Sequence, residues 1–105
     1  MRRSLRRPPL KPSQALALYR HEIRRLVEQN RARNPRIFGS VLRGRDTEQS
    51  DLDVLVDPVP GTTLFDLGGL QFELQELLAV RVDLLTPGDL APRSRERALR
   101  EAVPI

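Results

Sequence analysis

The sequence predicts a small α/β (α+β) domain in which helices pack on one small β-sheet. Segments with apolar residues at helical spacing alternate with short apolar, β-prone segments, in the order helix, strand, strand, helix, strand, helix. Prolines and glycines separate these segments. The 105 residues, 39% of them hydrophobic, are enough for a single modest core.

The first predicted elements are a long helix and a short strand. Ser13 is predicted to cap the helix, which runs to about residue 32 and is stopped by Asn34-Pro35. Residues 36–38 then form the strand. The apolar face of the helix contains Leu16, Tyr19, Ile23, Leu26 and Val27.

A tight turn, a polar loop and a second strand come next. Gly39-Ser40 begins a single helical turn that Gly44 ends. Residues 45–50 are polar and are predicted to form a loop. Residues 51–56 are predicted to form the second strand, which two prolines close.

The second half of the chain is predicted to be helix, strand and helix. Thr62 or Thr63 caps the first of these helices, with Asp66 as the capping-box acid if Thr63 is the cap. Its apolar stripe consists of Leu64, Leu67, Leu70, Leu74, Leu77 and Leu78. Residues 81–85 are the third strand and residues 93–102 the last helix. The residues of that last helix predicted to face inward are Ala98, Leu99 and Ala102.

The charges are unevenly distributed along the chain. Residues 1–36 carry eleven lysines and arginines against two glutamates, a net charge of +9, whereas residues 37–105 carry seven arginines against twelve acids, a net charge of −5. Residues 1–12 are predicted to be a basic, disordered tail and residues 13–105 the domain. Because no aromatic residues are interleaved with the arginines of the tail, direct nucleic-acid binding is not expected.

Several classes of protein are excluded by composition. The absence of cysteine excludes a disulfide framework, a thiolate zinc site and a cysteine nucleophile, and it favours a reducing, cytoplasmic location. No apolar run has the length of a membrane span, and the start of the chain lacks the apolar stretch of a secretory signal.

Two aspartates open the second predicted strand. Residues two apart on a strand project from the same face, so Asp51, Asp53 and Leu55 share one side, opposite Leu52, Val54 and Val56. Two carboxylates this close raise each other's protonation tendency unless a cation lies between them. Mg²⁺ typically takes one or two carboxylates together with phosphates and water, which predicts a magnesium site at Asp51 and Asp53.

A candidate phosphate site precedes these acids. Gly39 allows close approach of the backbone, the N–H groups that follow it favour phosphate oxygens, and Ser40 adds a hydroxyl donor. Arg43 and Arg45 are close enough in sequence to neutralise the far phosphates of a triphosphate. Asp83 is a third acid in a strand context. If that strand lies beside residues 51–56, Asp83 either completes a second metal site or accepts the proton of an attacking hydroxyl.

The Gly39-Ser40 pair, ten intervening residues and the Asp51-x-Asp53 motif resemble the signature of the polymerase-β-like nucleotidyltransferases. The wider run RIFGSVLRGRDTEQSDLDVLVDP resembles the minimal nucleotidyltransferases (MNT), the antitoxin half of HEPN/MNT toxin–antitoxin pairs. The likeness covers residues 14–105. One departure is Leu42, where many relatives have alanine.

The resemblance implies a mixed sheet with flanking helices, and transfer of a nucleotide from Mg²⁺-ATP with release of pyrophosphate. It implies that Gly39 and Ser40 hold the triphosphate, that Asp51 and Asp53 ligate the metal, and that Asp83 is the third carboxylate. It further implies that the acceptor is a tyrosine hydroxyl of a HEPN partner, a helical ribonuclease toxin, which receives AMP.

The sequence is also compatible with other interpretations. Asp51 and Asp53 are also compatible with residues that simply end a loop at a strand start. Once the tail and the metal-binding core are counted, little chain is left for gripping an acceptor, so the acceptor is expected on another chain. The alternative function is a non-catalytic antitoxin that masks its toxin sterically. A weaker one is nucleic-acid binding through the basic tail.

Overall fold

The computed structural model describes residues 10–105, and the predicted order of elements is present with one strand added at the end. The helices are α1 (Pro12–Gln29), α2 (Leu64–Leu78) and α3 (Pro92–Glu101), and the strands are β1 (Ala32–Phe38), β2 (Leu52–Pro58), β3 (Val82–Leu85) and β4 (Val103–Pro104). A 3₁₀ turn (Pro87–Asp89) precedes α3. The basic tail predicted over residues 1–12 falls mostly on residues 1–9, which lie outside the described residues.

The four strands form one mixed sheet in the order β3-β2-β1-β4. Strand β1 is antiparallel to both β2 and β4, whereas β2 and β3 are parallel. The mixed sheet with flanking helices that the sequence resemblance implied is therefore confirmed. The parallel pairing of β2 with β3 aligns Asp53 with Asp83, which decides the layout of the candidate site.

The hydrophobic core lies between one face of the sheet and the two long helices. Fully buried residues of β2 pack in a single cluster with residues of α1 and α2. The principal members of this cluster are Ile23, Val27, Leu52, Val54, Val56, Leu70, Leu74 and Leu78. Leu55 is fully buried as well but lies outside that cluster, on the face that carries Asp53. The predicted alternation along β2 is thus present.

The beginning of α1 differs from the prediction. The helix begins at Pro12, with Lys11 in the N-cap position, so the assignment of Ser13 as the cap is wrong. Proline is favoured at the first helical position because that position needs no intrahelical N–H bond. The backbone N–H of Ser13, inside the first turn, instead donates to Oδ2 of Asp46 at 2.8 Å.

The boundary between α1 and β1 also differs from the prediction. The helix ends at Gln29, and Arg31 reverses the chain with a φ of 64°. Asn34-Pro35 does not stop a helix but lies within β1, at an irregularity in its pairing with β2. Proline is tolerated there because a bulge needs no ladder N–H from it.

The cap of α2 follows the prediction, and the end of the chain does not. Thr63 and Asp66 form the reciprocal capping box, with Asp66 N donating to Thr63 Oγ1 and Thr63 N to Asp66 Oδ2. In α3, Ala98 is buried as predicted, but Leu99 is half exposed, because the helix presents only a narrow stripe to the rest of the fold. The unpredicted strand β4 pairs with β1 and brings Ile105 into the core.

None of the helices in residues 10–105 combines the length and apolar character needed to cross a membrane.

Candidate active site

Three of the predicted acids meet at one end of β2 and β3. Asp51 immediately precedes β2, Asp53 is the second residue of β2, and Asp83 is the second residue of β3. Asp53 and Asp83 are in register across the two parallel strands. Neighbours in register project from the same face of a sheet, with strands about 4.8 Å apart. The two acids therefore flank the same small region.

The carboxyl group of Asp53 is perturbed by this arrangement. Burial, followed by the negative charges of Asp83 and then of Asp51, raises the pKa of Asp53 from 3.8 to about 6. A pKa raised in this way reports a site where negative charge is poorly solvated and crowded. A divalent cation among these carboxylates would relieve both effects.

Gly39 lies directly against the Asp53 carboxylate. A methyl group built on Gly39 would overlap Oδ2 of Asp53 and lie 3.1 Å from its Cγ. The backbone of Gly39 also has a φ of 80°, in the left-handed region that favours glycine. Contact and backbone angle both require glycine here, and together they bring the predicted phosphate turn onto the predicted metal ligand.

The chain from Ser40 onward forms a compact hydrogen-bonded turn. Arg43 N donates to Gly39 O at 3.3 Å, Gly44 N to Val41 O at 3.1 Å and Arg45 N to Ser40 O at 2.9 Å. Gly44 ends the turn with a φ of 68°, as the sequence predicted. Ser40 is partly buried within it, whereas the Arg45 side chain is exposed.

Arg43 is held by an acid of α3. Its Nη2 lies 3.4 Å from Oε1 of Glu101, while Oε2 of the same carboxylate lies 3.3 Å from Nε of Arg97. All three side chains are about 40–60% exposed, so each ion pair contributes little to stability. The arrangement leaves the Arg43 guanidinium free to exchange one anionic partner for another.

Asp51 has an arginine neighbour of its own. Oδ1 of Asp51 lies 3.6 Å from Nε of Arg81, whose side chain is 84% exposed. An ion pair this long and this exposed is worth between nothing and about 1 kcal/mol. It is too weak to compete with a divalent cation for the Asp51 carboxylate.

The acids fit a metal ion that is shared with a substrate. Within residues 10–105, no group of three acidic, histidine or cysteine side chains is close enough to hold a metal ion by itself. Mg²⁺ seldom uses such a cage and is usually held by one or two carboxylates together with substrate phosphates and water. Asp51 and Asp53 beside the Gly39 turn offer that donor set.

The sequence did not indicate the contact that anchors the loop between the turn and β2. The Asp46 carboxylate accepts the Ser13 backbone N–H in the first turn of α1. Burial by itself would raise the pKa of Asp46, but hydrogen bonds from the backbone and hydroxyl of Ser13 outweigh it and lower that pKa. The two residues are 33 positions apart, and no local pattern relates them.

The role of Glu101 was also missed. Its spacing from Arg97 is that of a helical i, i+4 ion pair, which is visible in the sequence. Its contact with Arg43, 58 positions away, depends on how α3 packs and is not visible there.

The chain is similar to known proteins over most of its length. Residues 20–105 match the family described as nucleotidyltransferase domain. A Methanocaldococcus jannaschii protein named "Putative protein adenylyltransferase MJ0435" is 44% identical over 69 residues, which cover 66% of this chain and 74% of that protein. The Thermococcus cleftensis protein adenylyltransferase MntA is 39% identical over 67 residues, covering 64% and 68% of the two chains.

Solved structures show the same architecture. One described as "Structure of putative minimal nucleotidyltransferase" superposes with a TM-score of 0.81 at 44% identity and covers 89% of this chain and 95% of the other. Another, described as a toxin–antitoxin crystal structure with AMP-PNP, has a TM-score of 0.69 at 20% identity and covers 80% and 69% of the two chains. The second likeness concerns the fold alone.

Proposed function

The chain belongs to the nucleotidyltransferase domain family and is a minimal nucleotidyltransferase, and from this premise we propose that it transfers AMP from Mg²⁺-ATP to a hydroxyl group of a partner protein. The observation that carries the proposal is the contact between the Gly39 backbone and the Asp53 carboxylate. This contact supports the proposal because it brings the turn that we assign to the phosphates against the carboxylate that we assign to the cation.

The turn is assigned to the triphosphate of the donor. The backbone N–H groups that follow Gly39 and the hydroxyl of Ser40 donate to phosphate oxygens. Arg43 and Arg45 neutralise the outer phosphates, whose charge grows as pyrophosphate leaves. Arg43 would exchange its long contact with Glu101 for the stronger pairing with phosphate.

Asp51 and Asp53 are assigned to the metal ion. When bound there, Mg²⁺ neutralises phosphate charge and stabilises the transition state of phosphoryl transfer. Through that ion, the two carboxylates would hold the donor's phosphates near the end of the sheet at which Asp83 lies. Burial, and after it the charges of Asp83 and Asp51, raise the pKa of Asp53 to about 6, which is still low enough for the carboxylate to be mainly ionised at pH 7.5 and to accept a cation there.

Asp83 is assigned to the acceptor. It is the most exposed of the three acids and stands beside Asp53 at the open end of the strands. The acceptor oxygen attacks the α-phosphorus and forms a new P–O bond, while its proton passes to the Asp83 carboxylate. The bond between the α-phosphorus and the oxygen bridging to the β-phosphate breaks, and pyrophosphate leaves.

We assign the acceptor to a tyrosine of a HEPN ribonuclease toxin, in keeping with the resemblance seen in the sequence. Two observations support a toxin partner and protein as the substrate: relatives are named protein adenylyltransferases, and proteins of the same fold are described as toxin–antitoxin complexes. AMPylation of the toxin would silence it.

An exposed apolar surface of α2 also favours a protein partner, and this observation does not depend on the comparisons with relatives. Phe65 and Phe72, seven residues apart on one helical face, are 90% and 61% exposed. Gly68 and Gly69 lie between them with open space in front of both. Exposed apolar faces of this kind are characteristic of protein interaction sites. This face therefore also supports the second candidate function, an antitoxin that masks its toxin without catalysis.

Transfer is tested with ATP labelled at the α-phosphate, Mg²⁺ and, as the proposed toxin, the product of the gene adjacent to the one that encodes this chain. We expect the unsubstituted protein to transfer the label to the toxin in Mg²⁺. No label should appear on the toxin when EDTA is added or when Asp53→Asn replaces the unsubstituted protein. Glu48→Gln is the matched control, because Glu48 is an exposed acid in the loop before β2 and is predicted to be dispensable. Label that persists in the Asp53 variant would contradict the assignment of the site.

Catalysis and masking are separated by neutralisation of the toxin in cells. If silencing is enzymatic, an Asp51→Asn/Asp53→Asn double variant loses protection although it still binds the toxin. Full protection by that variant would instead establish steric masking.

A further inference from the structure

Two glutamines of α2 accept hydrogen bonds from the backbone of β3. Oε1 of Gln75 accepts the N–H of Val82 at 3.0 Å. Oε1 of Gln71 accepts the N–H of Leu84, also at 3.0 Å. Strand β3 is an edge strand that pairs with β2, so these N–H groups lie on the side of β3 that the sheet leaves open. Side chains of α2 therefore take the place that water or another strand would have at this edge.

The spacing of the two glutamines matches the spacing of the two N–H groups. Residues four apart on a helix share a face and are separated by about 6 Å along its axis. Residues two apart on a strand are separated by about 6.6 Å. The later glutamine holds the earlier strand residue, because α2 and β3 run in opposite directions. A slip of β3 by one residue would break both hydrogen bonds at once.

Asp83 lies between the two strand residues that the glutamines hold. Those two residues pack on the core, whereas Asp83 projects from the other face and is in register with Asp53. Apolar contacts draw β3 against the core but are not directional, and the ladder with β2 has only four residue pairs. Hydrogen bonds are directional, and a slip by one residue would turn Asp83 towards the core. The two glutamines therefore fix the register that puts Asp83 beside Asp53.

We propose that Gln71 and Gln75 are positioning residues for nucleotide transfer, because they hold Asp83 where it takes the proton of the acceptor hydroxyl. The inference rests on the proposed function, which assigns that proton to Asp83. Helix α2 packs against the face of the sheet opposite to the one that carries Asp53. The glutamines should consequently act on the rate of transfer and not on binding of the donor.

The test replaces the acceptor oxygens and keeps the length of the side chains. Gln71→Met/Gln75→Met removes both hydrogen bonds to β3. Glu73→Met is the matched control on the same helix, because Oε1 of Glu73 accepts a hydrogen bond from Nδ2 of Asn30 at 2.8 Å and so ties α2 to the end of α1. The kcat for transfer of label from ATP to the proposed toxin is measured beside the affinity for Mg²⁺-ATP by calorimetry.

The double glutamine variant is expected to lower kcat by about tenfold or more, because a small displacement of a reacting group is costly. Its affinity for Mg²⁺-ATP should be unchanged, and Glu73→Met should change neither quantity. Hydrogen exchange followed by NMR should be faster at the amides of Val82 and Leu84 in the glutamine variant. If the glutamines act through Asp83, their substitution should cause no further loss in an Asp83→Asn background.

Unchanged kcat in the double glutamine variant would overturn the inference, and so would unchanged exchange at the two β3 amides. An equal loss of kcat in Glu73→Met, or an equal loss of Mg²⁺-ATP affinity in the glutamine variant, would show a general effect on the fold and overturn it too. If the double variant does not fold, Gln71→Met and Gln75→Met are compared singly, since each keeps one hydrogen bond. These results leave the proposed function standing, whereas no transfer by the unsubstituted protein would end both.

Discussion

At the residue scale, glycine is required at position 39 for two reasons, its backbone φ angle and its contact with Asp53. Its positive φ disfavours any side chain, and its α-carbon faces the Asp53 carboxylate. Gly44 has a similar positive φ but open space in front of it, so it shares only the first requirement. Substitutions of these two glycines therefore distinguish the loss of stability caused by backbone strain from the loss of ligand binding caused by a side chain that blocks the site.

Gly39→Ala and Gly44→Ala should consequently behave differently. Each is expected to lower the free energy of unfolding by about 1 kcal/mol, because alanine is strained at a positive φ. Only Gly39→Ala should abolish Mg²⁺-ATP binding, because its methyl group displaces the Asp53 carboxylate. Calorimetry and urea unfolding of both variants provide the measurement. Equal ATP affinity in the two variants would show that the Gly39–Asp53 contact is not part of the site.

The ionised Asp53 carboxylate should lower the free energy of unfolding at neutral pH when no metal is bound. Its pKa is raised in the folded chain, so the folded state binds more protons than the unfolded state between about pH 4 and pH 6. The free energy of unfolding therefore falls as pH rises through that window. Asp53→Asn should remove this fall and stabilise the metal-free protein at pH 7.5 by about 1 kcal/mol, a value reduced for the half-exposed position of the group.

Urea unfolding in EDTA at pH 4 and pH 7.5 measures this effect. We expect the variant and the unsubstituted protein to be alike at pH 4 and the variant to be more stable at pH 7.5. A variant that is less stable at both pH values would indicate a structural role for the Asp53 carboxylate in place of a cation-binding one.

The pair Asp51 and Asp53 could be found from sequence because two residues apart on a strand always share a face. Asp83 could be placed only conditionally, because the position of its strand in the sheet is a tertiary property. Glu101 could not be placed at all. Its partner Arg43 is brought to it by the packing of α3 against the turn, which no spacing in the sequence encodes.

At the element scale, the loop that precedes β2 is fastened to the start of α1. The Asp46 carboxylate serves the helix as a cap supplied from a distant part of the chain, because it accepts an N–H of the first turn. The same contact fixes the segment between the Gly39 turn and the Asp51–Asp53 pair. Asp46 therefore links the stability of α1 to the geometry of the site.

Asp46→Ala should lower the free energy of unfolding by about 1 kcal/mol, the usual value of a helix cap. Glu48→Ala, in the same loop, should change it by much less. Because hydrogen bonding lowers the pKa of Asp46, the contribution of Asp46 is present above the ordinary carboxyl pKa and is lost as the solution becomes more acidic. Urea unfolding of both variants at pH 7 and pH 3 is the measurement. An equal decrease in the free energy of unfolding for Asp46→Ala and Glu48→Ala at pH 7, or no smaller effect of Asp46→Ala at pH 3, would contradict this expectation.

Elements with a local signature were predicted from the sequence, and those without one were not. The capping box of Thr63 and Asp66 is written in four consecutive residues, and the structure contains it. The start of α1 was misplaced because its cap comes from Asp46. Strand β4 was missed because a two-residue strand has no periodicity and exists only through its pairing with β1.

At the scale of the whole molecule, the exposed apolar face of α2 and the acidic site lie on opposite sides of the sheet. Helix α2 packs with the valines of β2, whereas Asp53 and Asp83 project from the other face. Contact with a partner through α2 and binding of nucleotide at the strand ends are therefore expected to be separable.

Phe65→Glu/Phe72→Glu should weaken binding of the proposed toxin partner by at least tenfold, because two charges would have to be buried at an apolar interface. Mg²⁺-ATP affinity should stay unchanged. Binding of the purified toxin, measured by calorimetry beside ATP binding, checks this expectation. Unchanged toxin binding would remove α2 from the interface.

Asp51 and Asp53 are proposed to hold a divalent cation against the phosphates seated on the Gly39 turn. The most direct test is calorimetric titration of ATP into the purified chain at pH 7.5, with Mg²⁺ and with EDTA, for the unsubstituted protein and the Asp51→Asn/Asp53→Asn variant. We predict one site that requires Mg²⁺ and is lost in the variant. ATP binding that is equally strong in EDTA, or unaffected by the double substitution, would contradict the claim.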